Sequence, residues 1–366
     1  MAKIKELINY LEQIAPPSYQ ESYDNAGLIT GDAEAELSAV LISLDCTEEI
    51  IEEAKQKRAN LVIAHHPIIF RPLKRITGQD YVQRTVIQAI KNDIAIYAIH
   101  TNLDNISQGV NEMICRKLEL KNPKILLPKK DNLAKLVTFI PQENTLQVLE
   151  AIHRMGAGQI GEYNQCSFRV TGTGAFKPSE KANPHIGTSD LLENVTEDRV
   201  EVVFPRHLKN QVLNALKKAH PYEEVAYYHQ EVQNTDPQTG AGMIGNLEKE
   251  LDEQDFIDHL KDKMGLTCIR HTRFLGAKVK RVAVCGGTGS FLLSHAIQHQ
   301  AQAFVSADFK YHEFFDAENK IVIADIGHYE SEVFTKELIR GLLNKKFPNI
   351  ALDLSERNTN PVNYYF

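Results

Sequence analysis

Three short apolar runs constrain the fold of this chain more than any other feature, because polar side chains of metal-ligand type follow each of them. The runs lie at residues 61–64, 94–99 and 321–324. Apolar runs without polar alternation are typical of parallel strands that are covered on both faces. Such strands belong to layered α/β folds, in which ligands bind beyond the carboxyl ends of the strands. The sequence therefore predicts an α/β fold with one shared site at these ends.

Two adjacent imidazoles, His65 and His66, stand where the first run ends. In a continuing strand their side chains would point to opposite faces of the sheet. Pro67 breaks the strand and biases His66 toward an extended conformation, so the chain can turn and both rings can reach one site. The plainer alternative is that one histidine caps the strand and the other is solvated, since short motifs often match by chance.

The other two runs favour the shared site over that alternative. His100 and Asp104 follow the second run, and a helical pattern that carries His328 and Glu332 follows the third. If this helix begins near Tyr329, His328 and Glu332 lie one turn apart on the same face. The candidate metal ligands, drawn from both ends of the chain, are His65, His66, Asp104, His328 and Glu332.

The number of candidate ligands indicates two metal ions. Three imidazoles and two carboxylates exceed the needs of one tetrahedral zinc with an open water position. We therefore predict two divalent metal ions per subunit, about 3.5–4 Å apart, with Glu332 as the bridging carboxylate. Mixed imidazole and carboxylate ligation suits zinc, iron or manganese, and zinc is the metal that we favour.

Three motifs carry a family resemblance, and two further segments support it. The motifs His65-His66-Pro67, His100-Thr-Asn-Leu-Asp104 and Gly327-His328-Tyr-Glu-Ser-Glu332 resemble the metal-binding motifs of the Nif-type (NGG-interacting factor) family, whose members are known as GTP cyclohydrolase I type 2 homologues. Residues 23–28 are similar to another family signature, with Tyr23 where the family usually has Trp. Residues 306–312 are similar to a further one, with Ser306 and Ala307 in place of Thr and Gly.

The resemblance implies an activity and an assembly. It implies that the chain is a metal-dependent hydrolase that opens the guanine imidazole ring of GTP with a metal-activated water, and that it forms a ring-shaped homohexamer. A metal-dependent nucleotide phosphatase or phosphodiesterase is a second interpretation, because two-metal sites are common in those enzymes. A third is a non-enzymatic metal-binding regulator or scaffold.

Three residues are candidates for roles in catalysis: His312, His100 and Asp45. An imidazole titrates near neutral pH, so His312 or His100 can carry a proton. Asp45 ends the predicted strand at residues 39–44 and can orient a ligand histidine. The structural alternatives are that Asp45 caps the following helix, that His100 only donates to the backbone, and that His312 is a surface residue.

Gly287, Thr288 and Gly289 form a candidate phosphate loop. They follow a predicted strand at residues 282–284 and precede a helical run from Phe291, and amides at a helix N-terminus attract anions. A tight turn between strand and helix explains the glycines equally well. The loop lacks the Gly-Lys-Ser/Thr of a P-loop, which argues against a GTPase or ATPase of that class.

The two ends of the chain share one pattern, and the middle has another. Residues 1–125 and 235–366 alternate strands and helices as a layered α/β core does, whereas residues 126–234 follow the order β-α-β-β-α-β of a ferredoxin-like fold. We therefore predict a Nif-type core that is discontinuous in sequence and an inserted α+β domain. Its position resembles that of the PII-like insert in longer Nif-type proteins.

The composition limits the kinds of partner that the protein can bind and the cellular compartment that suits it. A net charge of −7 gives no global reason to bind nucleic acid or an anionic membrane. Five widely spaced cysteines without a C-x-x-C pair suit a reducing compartment. The amphipathic N-terminal segment is no signal peptide, and no apolar run approaches the roughly 18 residues of a membrane span. We predict a cytoplasmic protein whose partner is a small molecule, a nucleotide, and not nucleic acid or a membrane.

Overall fold

Apolar strands and amphipathic helices alternate along the chain, and the computed structural model describes residues 2–365. The fold is mixed α/β, with three sheets in the described part. The described residues form two compact units, residues 2–127 with 238–365, and Pro128–Pro237. We call the first the core unit and the second the middle unit.

The elements follow one another in three stretches of the chain. Those before the middle unit are α1 (Ile4–Ile14), β1 (Gly27–Thr30), β2 (Val40–Ser43), α2 (Glu48–Gln56), β3 (Leu61–Ala64), α3 (Tyr81–Lys91), β4 (Ala95–Ala98), α4 (Thr101–Asp104), α5 (Val110–Lys117) and β5 (Lys121–Pro128). The middle unit contains β6 (Leu133–Pro141), α6 (Thr145–Arg154), β7 (Phe168–Phe176), β8 (Glu193–Pro205), α7 (Lys209–Ala219) and β9 (Tyr227–Val232). The core unit then continues with β10 (Gly240–Asp252), α8 (Glu253–Met264), β11 (Arg270–His271), β12 (Lys278–Thr288), α9 (Leu293–Gln298), β13 (Ala303–Ala307), β14 (Val322–Asp325), α10 (His328–Glu332), α11 (Thr335–Lys346) and β15 (Leu352–Leu354).

The first sheet of the core unit has the strand order β1-β4-β3-β2-β15. β4, β3, β2 and β15 are parallel, and β1 is an antiparallel edge strand. Leu11 of α1 and Leu343 of α11 pack on one face, while Ile51 of α2 and Val86 of α3 pack on the other. Each such buried side chain stabilises the fold by about 1.5–3 kcal/mol. This double cover explains why the strands lack polar alternation.

The second sheet of the core unit has the strand order β11-β14-β13-β12-β10-β5. Its central strands β12, β13 and β14 are parallel, and β10 is antiparallel to β12. In each sheet the carboxyl ends of the parallel strands therefore lie side by side. The loops that leave these ends carry the polar motifs.

The middle unit has one four-stranded sheet in the order β7-β8-β6-β9, and each neighbouring pair is antiparallel. Val148 and Ile152 of α6 and Val212 and Leu216 of α7 pack on one face of this sheet. The elements follow the order β-α-β-β-α-β that the sequence pattern predicts. The likeness of this unit to a PII-like domain stays a prediction.

All five cysteines are free thiols. None of the helices that the structure describes is long and apolar enough to cross a membrane.

Candidate metal centre

Four histidines meet where the carboxyl ends of the two core-unit sheets face each other. His65 and His66 follow β3, His100 follows β4, and His328 is the first residue of α10. The centroids of neighbouring rings are 5.0 Å (His65 to His66), 5.2 Å (His65 to His100) and 5.1 Å (His66 to His328) apart. The fold therefore gathers side chains from both ends of the chain into one cluster.

The ligand atoms fall into three overlapping groups. Within each group they lie within 4.8 Å of one another, and the groups are His65 with His66 and His100, His66 with His328 and Glu332, and His65 with Asp104 and Glu332. All five ligands named from the sequence belong to these groups. His100 joins them as a sixth candidate, which the sequence indicated only as a proton carrier.

Glu332 connects two of the groups because its two carboxylate oxygens face different imidazoles. Oε2 lies 2.9 Å from Nε2 of His66 and 3.1 Å from Nε2 of His328. Oε1 lies 4.0 Å from Nε2 of His65. A carboxylate that is shared in this way is suited to bridge two cations.

Two buried atoms show that this cluster fits a cation. Nε2 of His65 and Oδ1 of Asp104 find no hydrogen-bond partner among the described residues, although they lie 3.5 Å apart. A buried polar atom without a partner costs about 1–3 kcal/mol. A divalent cation would satisfy both atoms, because a neutral imidazole and a carboxylate are ordinary ligands of zinc.

Each of the four imidazoles forms a hydrogen bond between its Nδ1 and an oxygen atom, so that its Nε2 faces the cluster. The four pairs are His65 with the Ile99 carbonyl at 2.8 Å, His66 with Asp45 at 2.7 Å, His100 with Asp24 at 2.8 Å and His328 with Asp308 at 2.6 Å. Partners of this kind set the tautomer and ring orientation of metal-binding histidines.

A threonine hydroxyl in turn donates to each of the three aspartates. The donors are Thr359 to Asp45 at 2.5 Å, Thr288 to Asp308 at 2.7 Å, and Thr101 to Asp24. Asp24, Asp308 and Thr359 are functional candidates that the sequence motifs do not single out. Asp308 could have been found, because it follows β13 much as Asp45 follows β2. Thr359 carries no local signal of this kind.

The charges of the cluster depend strongly on one another. Burial lowers the pKa of His65 to about 3, so this imidazole is neutral at pH 7. Burial opposes the charged forms of His66 and His328 too, but hydrogen bonds to Glu332 and to Asp45 or Asp308 raise their pKa values to about 9 and about 11.

The two carboxylates have opposite pKa shifts. Burial raises the pKa of Asp104 well above its usual range, and the nearby charge of Glu332 adds to this. Burial also disfavours ionised Glu332, but hydrogen bonds from His328 and His66 hold its pKa well below its usual range. Positive charge thus stabilises Glu332, and a divalent cation is one source of such charge.

A cavity of about 330 Å³ opens onto the cluster. Tyr23 and Phe70 line it, and their side chains are 64% and 50% exposed. Their ring centroids lie 6.4 Å apart. Exposed aromatic rings beside a polar cluster can pack against a flat molecule that enters the cavity.

Gly287 of the candidate phosphate loop packs against Glu332. A Cβ at Gly287 would lie 2.5 Å from Oε1 of Glu332, and its φ of +60° favours glycine. Its N–H donates to the hydroxyl of Ser331 at 2.9 Å, and Thr288 is bound to Asp308. The close approach explains this glycine without a phosphate. A role for Gly287, Thr288 and Gly289 in phosphate binding stays a prediction.

His312 lies outside the three ligand groups. It is exposed on a 3₁₀ helix, Tyr311–Ala317, where its ring centroid lies 5.2 Å from that of Tyr311 and 6.3 Å from that of Phe315. Its role as a proton carrier stays a prediction, whereas His100 lies at the cluster itself.

Known proteins share both the sequence and the fold of this chain. The profile of the Duf34/NIF3 (NGG1p interacting factor 3) family matches residues 2–361. A Bacillus subtilis protein named GTP cyclohydrolase 1 type 2 homolog is 38% identical over 366 residues, which cover 98% of each chain. A Halalkalibacterium halodurans protein of the same name is 37% identical over 100% of this chain and 99% of its own.

Two solved structures are similar to this chain in both fold and sequence. A Bacillus cereus protein related to NIF3 has a TM-score of 0.88 and 35% identity, covering 100% of this chain and 99% of its own. A Staphylococcus aureus protein has a TM-score of 0.79 and 30% identity, with the same coverage. The similarity therefore extends over both ends and the middle of the chain.

Proposed function

The chain belongs to the Duf34/NIF3 family, as its motifs predict, and we propose that it is a hydrolase that depends on two metal ions and acts on a nucleotide. The observation that most supports this is the position of Glu332, whose two oxygens face different imidazoles. We favour zinc, and iron and manganese are alternatives with the same ligand preference.

Two of the ligand groups would each hold one ion. His65, Asp104 and Glu332 form one, and His66, His328 and Glu332 form the other. When bound, two divalent ions lower the pKa of a water from 15.7 toward about 7 and polarise the atom that is attacked. The groups contain no cysteine, whereas closed structural zinc sites are usually rich in cysteine.

The other residues of the centre would orient ligands and handle protons. Asp45 and Asp308 hold the rings of His66 and His328. Asp24 holds Nδ1 of His100, so Nε2 of His100 is the atom available to exchange a proton with a substrate. Tyr23 and Phe70 would pack against a flat base at the cavity.

GTP is the substrate that we propose to test first, because the curated relatives carry the name GTP cyclohydrolase 1 type 2 homolog. The reaction would be hydrolytic opening of the guanine imidazole ring with release of formate. A cavity of about 330 Å³ lies at the small end of ligand pockets. The base would therefore enter it while the phosphates stay outside.

The experiment measures formate release from GTP by protein of known metal content. It compares wild type with His65→Ala, Glu332→Ala and the control His299→Ala, whose imidazole is exposed elsewhere in the core unit. We expect metal-dependent formate from wild type and from His299→Ala, and none from the other two variants. A chelator should stop turnover while the circular dichroism spectrum stays unchanged.

The outcomes test the metal centre and the reaction independently of each other. Protein that binds about two metals per chain but releases no formate would refute GTP ring opening and keep the centre. Phosphate release from nucleotides would then test the phosphatase or phosphodiesterase interpretation. Protein that binds no divalent metal would refute the centre itself.

We also propose, from the family resemblance, that the chain assembles as a homohexamer. Light scattering would test this against a mass of six chains of 41.3 kDa each.

A further inference from the structure

A cavity of about 750 Å³ lies within the middle unit, and every residue that lines it belongs to that unit. Its floor is the face of the sheet that α6 and α7 leave open. Phe139 and Arg199, which are paired in register on β6 and β8, line this face. Loop residues from 177–186 and the segment 222–224 form the walls. The volume is typical of a pocket for a small organic molecule.

A buried carboxylate lies in this cavity. Glu197 of β8 is only 8% exposed, and its Oε1 accepts a hydrogen bond of 2.9 Å from the hydroxyl of Tyr222. The two cationic side chains of the lining pair with other carboxylates, since Lys177 lies 3.4 Å from Asp190 and Arg199 lies 2.9 Å from Glu201. A buried carboxylate needs donors, and a ligand can supply them to Oε2 of Glu197.

Two glycines of β7 shape the space around this carboxylate. A Cβ at Gly174 would lie 2.0 Å from Oε2 of Glu197, so only glycine lets the carboxylate lie against the strand. A Cβ at Gly172 would meet nothing within 4 Å, so the space beside the carboxylate is open. Glycine inside a strand often marks such a close approach.

Aromatic rings form part of the remaining wall. The ring of Tyr222 lies 5.8 Å from that of Phe176 and 6.4 Å from that of His185, measured between centroids. Phe139 contributes a further ring to the lining. Flat, mostly apolar molecules pack well against such rings.

We propose that this cavity binds a planar nitrogen heterocycle that presents adjacent N–H donors to Glu197, the class to which the guanine base belongs. A carboxylate only accepts hydrogen bonds, and Oε1 of Glu197 keeps a free lone pair beside the Tyr222 hydroxyl, so two parallel N–H groups can donate to its two oxygens. Guanine offers N1–H and the exocyclic amine side by side, whereas adenine presents an acceptor at N1. This site shares no residue with the ligand groups of the metal centre and does not rest on the proposed reaction.

The test uses the full chain and guanosine as the probe. Hydrogen exchange of β7 and of residues 177–190 locates binding in the middle unit, and calorimetry measures affinity. We expect guanosine to slow exchange in these segments, inosine to bind more weakly because it lacks the exocyclic amine, and adenosine to have no effect. Glu197→Gln should weaken guanosine binding about tenfold or more, since it removes a charged acceptor.

Two further variants guard against a simple loss of folding. Glu180→Gln changes an exposed glutamate within residues 177–190 and should leave guanosine binding unchanged. Tyr222→Phe removes the hydroxyl that holds Glu197 and should weaken binding less than Glu197→Gln does. Both should keep the circular dichroism spectrum of wild type.

Three results would overturn the proposal. These are equal protection by adenosine, guanosine binding that Glu197→Gln does not change, and no protection by any of the nucleosides. Protection that rises with protein concentration instead of ligand concentration would also overturn the proposal, and it would identify this face as an interface between copies of the chain.

Discussion

The metal centre and the middle-unit cavity both place a buried glutamate against a glycine of a strand, but they surround it with different groups. A Cβ at Gly287 would lie 2.5 Å from Glu332, and one at Gly174 would lie 2.0 Å from Glu197. Three imidazoles lie within 4.0 Å of Glu332, whereas a tyrosine hydroxyl binds Glu197. The same backbone arrangement therefore supports two chemistries, and the neighbours of the carboxylate decide which.

The two regions also differ in how firmly the functional atoms are held. Aspartates hold His66, His100 and His328, and a threonine donates to each of those aspartates. Glu197 has one tyrosine hydroxyl, and an irregular loop forms part of the cavity wall. Such double support suits the fixed geometry that a metal site requires.

The largest effect should come from Glu332→Gln, which tests whether the two glutamates have different roles. An amide lacks the charge to bridge two cations, so bound metal should fall from about two per chain to nearly none. Glu197→Gln should leave the metal content unchanged. Elemental analysis after dialysis measures both, and equal metal loss in the two variants would erase the distinction.

The glycines give the next test. Gly287→Ala should cost about 1–2 kcal/mol for the positive φ alone, and it should also displace Glu332. We expect a thermal midpoint lower by a few degrees, measured by calorimetry, together with reduced metal content. Gly174→Ala should retain metal but lose guanosine binding. If Gly287→Ala binds metal as wild type does, the close approach has no functional role.

Asp45→Asn and Thr359→Val test whether both hydrogen bonds behind His66 support the metal centre, the one from His66 to Asp45 and the one from Thr359 to Asp45. Removing the carboxylate behind a ligand histidine typically costs 10–100-fold in metal affinity. Removing one neutral hydrogen bond costs about 0.5–1.5 kcal/mol, so Thr359→Val should weaken binding less. Competition with a coloured chelator measures both. Asp258→Asn, at an exposed aspartate of α8, is the control, and an effect of similar size there would contradict the assignment.

The smallest effects should follow from the aromatic rings. Tyr23→Leu and Phe70→Leu should each raise the KM for a nucleotide about two- to tenfold, because an aromatic contact contributes about 0.5–1.5 kcal/mol. Phe176→Leu should leave that KM unchanged and weaken guanosine binding in the middle unit. A KM that changes equally in all three variants would show that the two cavities do not act separately.

Local patterns predicted much of the core unit. The strand Val322–Asp325 lies where the apolar run at residues 321–324 predicts it. The strands at residues 61–64 and 94–99 were found because burial on both faces leaves no polar positions. The sequence pattern does not predict β15, since three residues carry little pattern, or β10, because two of its first three residues are glycines that suggest a turn.

The sequence by itself determined which ligand-type side chains follow apolar strands, because that depends on neighbouring residues. Only the tertiary structure decided how those side chains are supported. Thr359 and Asp45 are 314 residues apart in the chain, and Glu332 and His66 are 266 apart. Gly174 and Glu197 come together only through the pairing of β7 with β8. Contacts of this range arise from the packing of whole sheets, and no local pattern of residues encodes them.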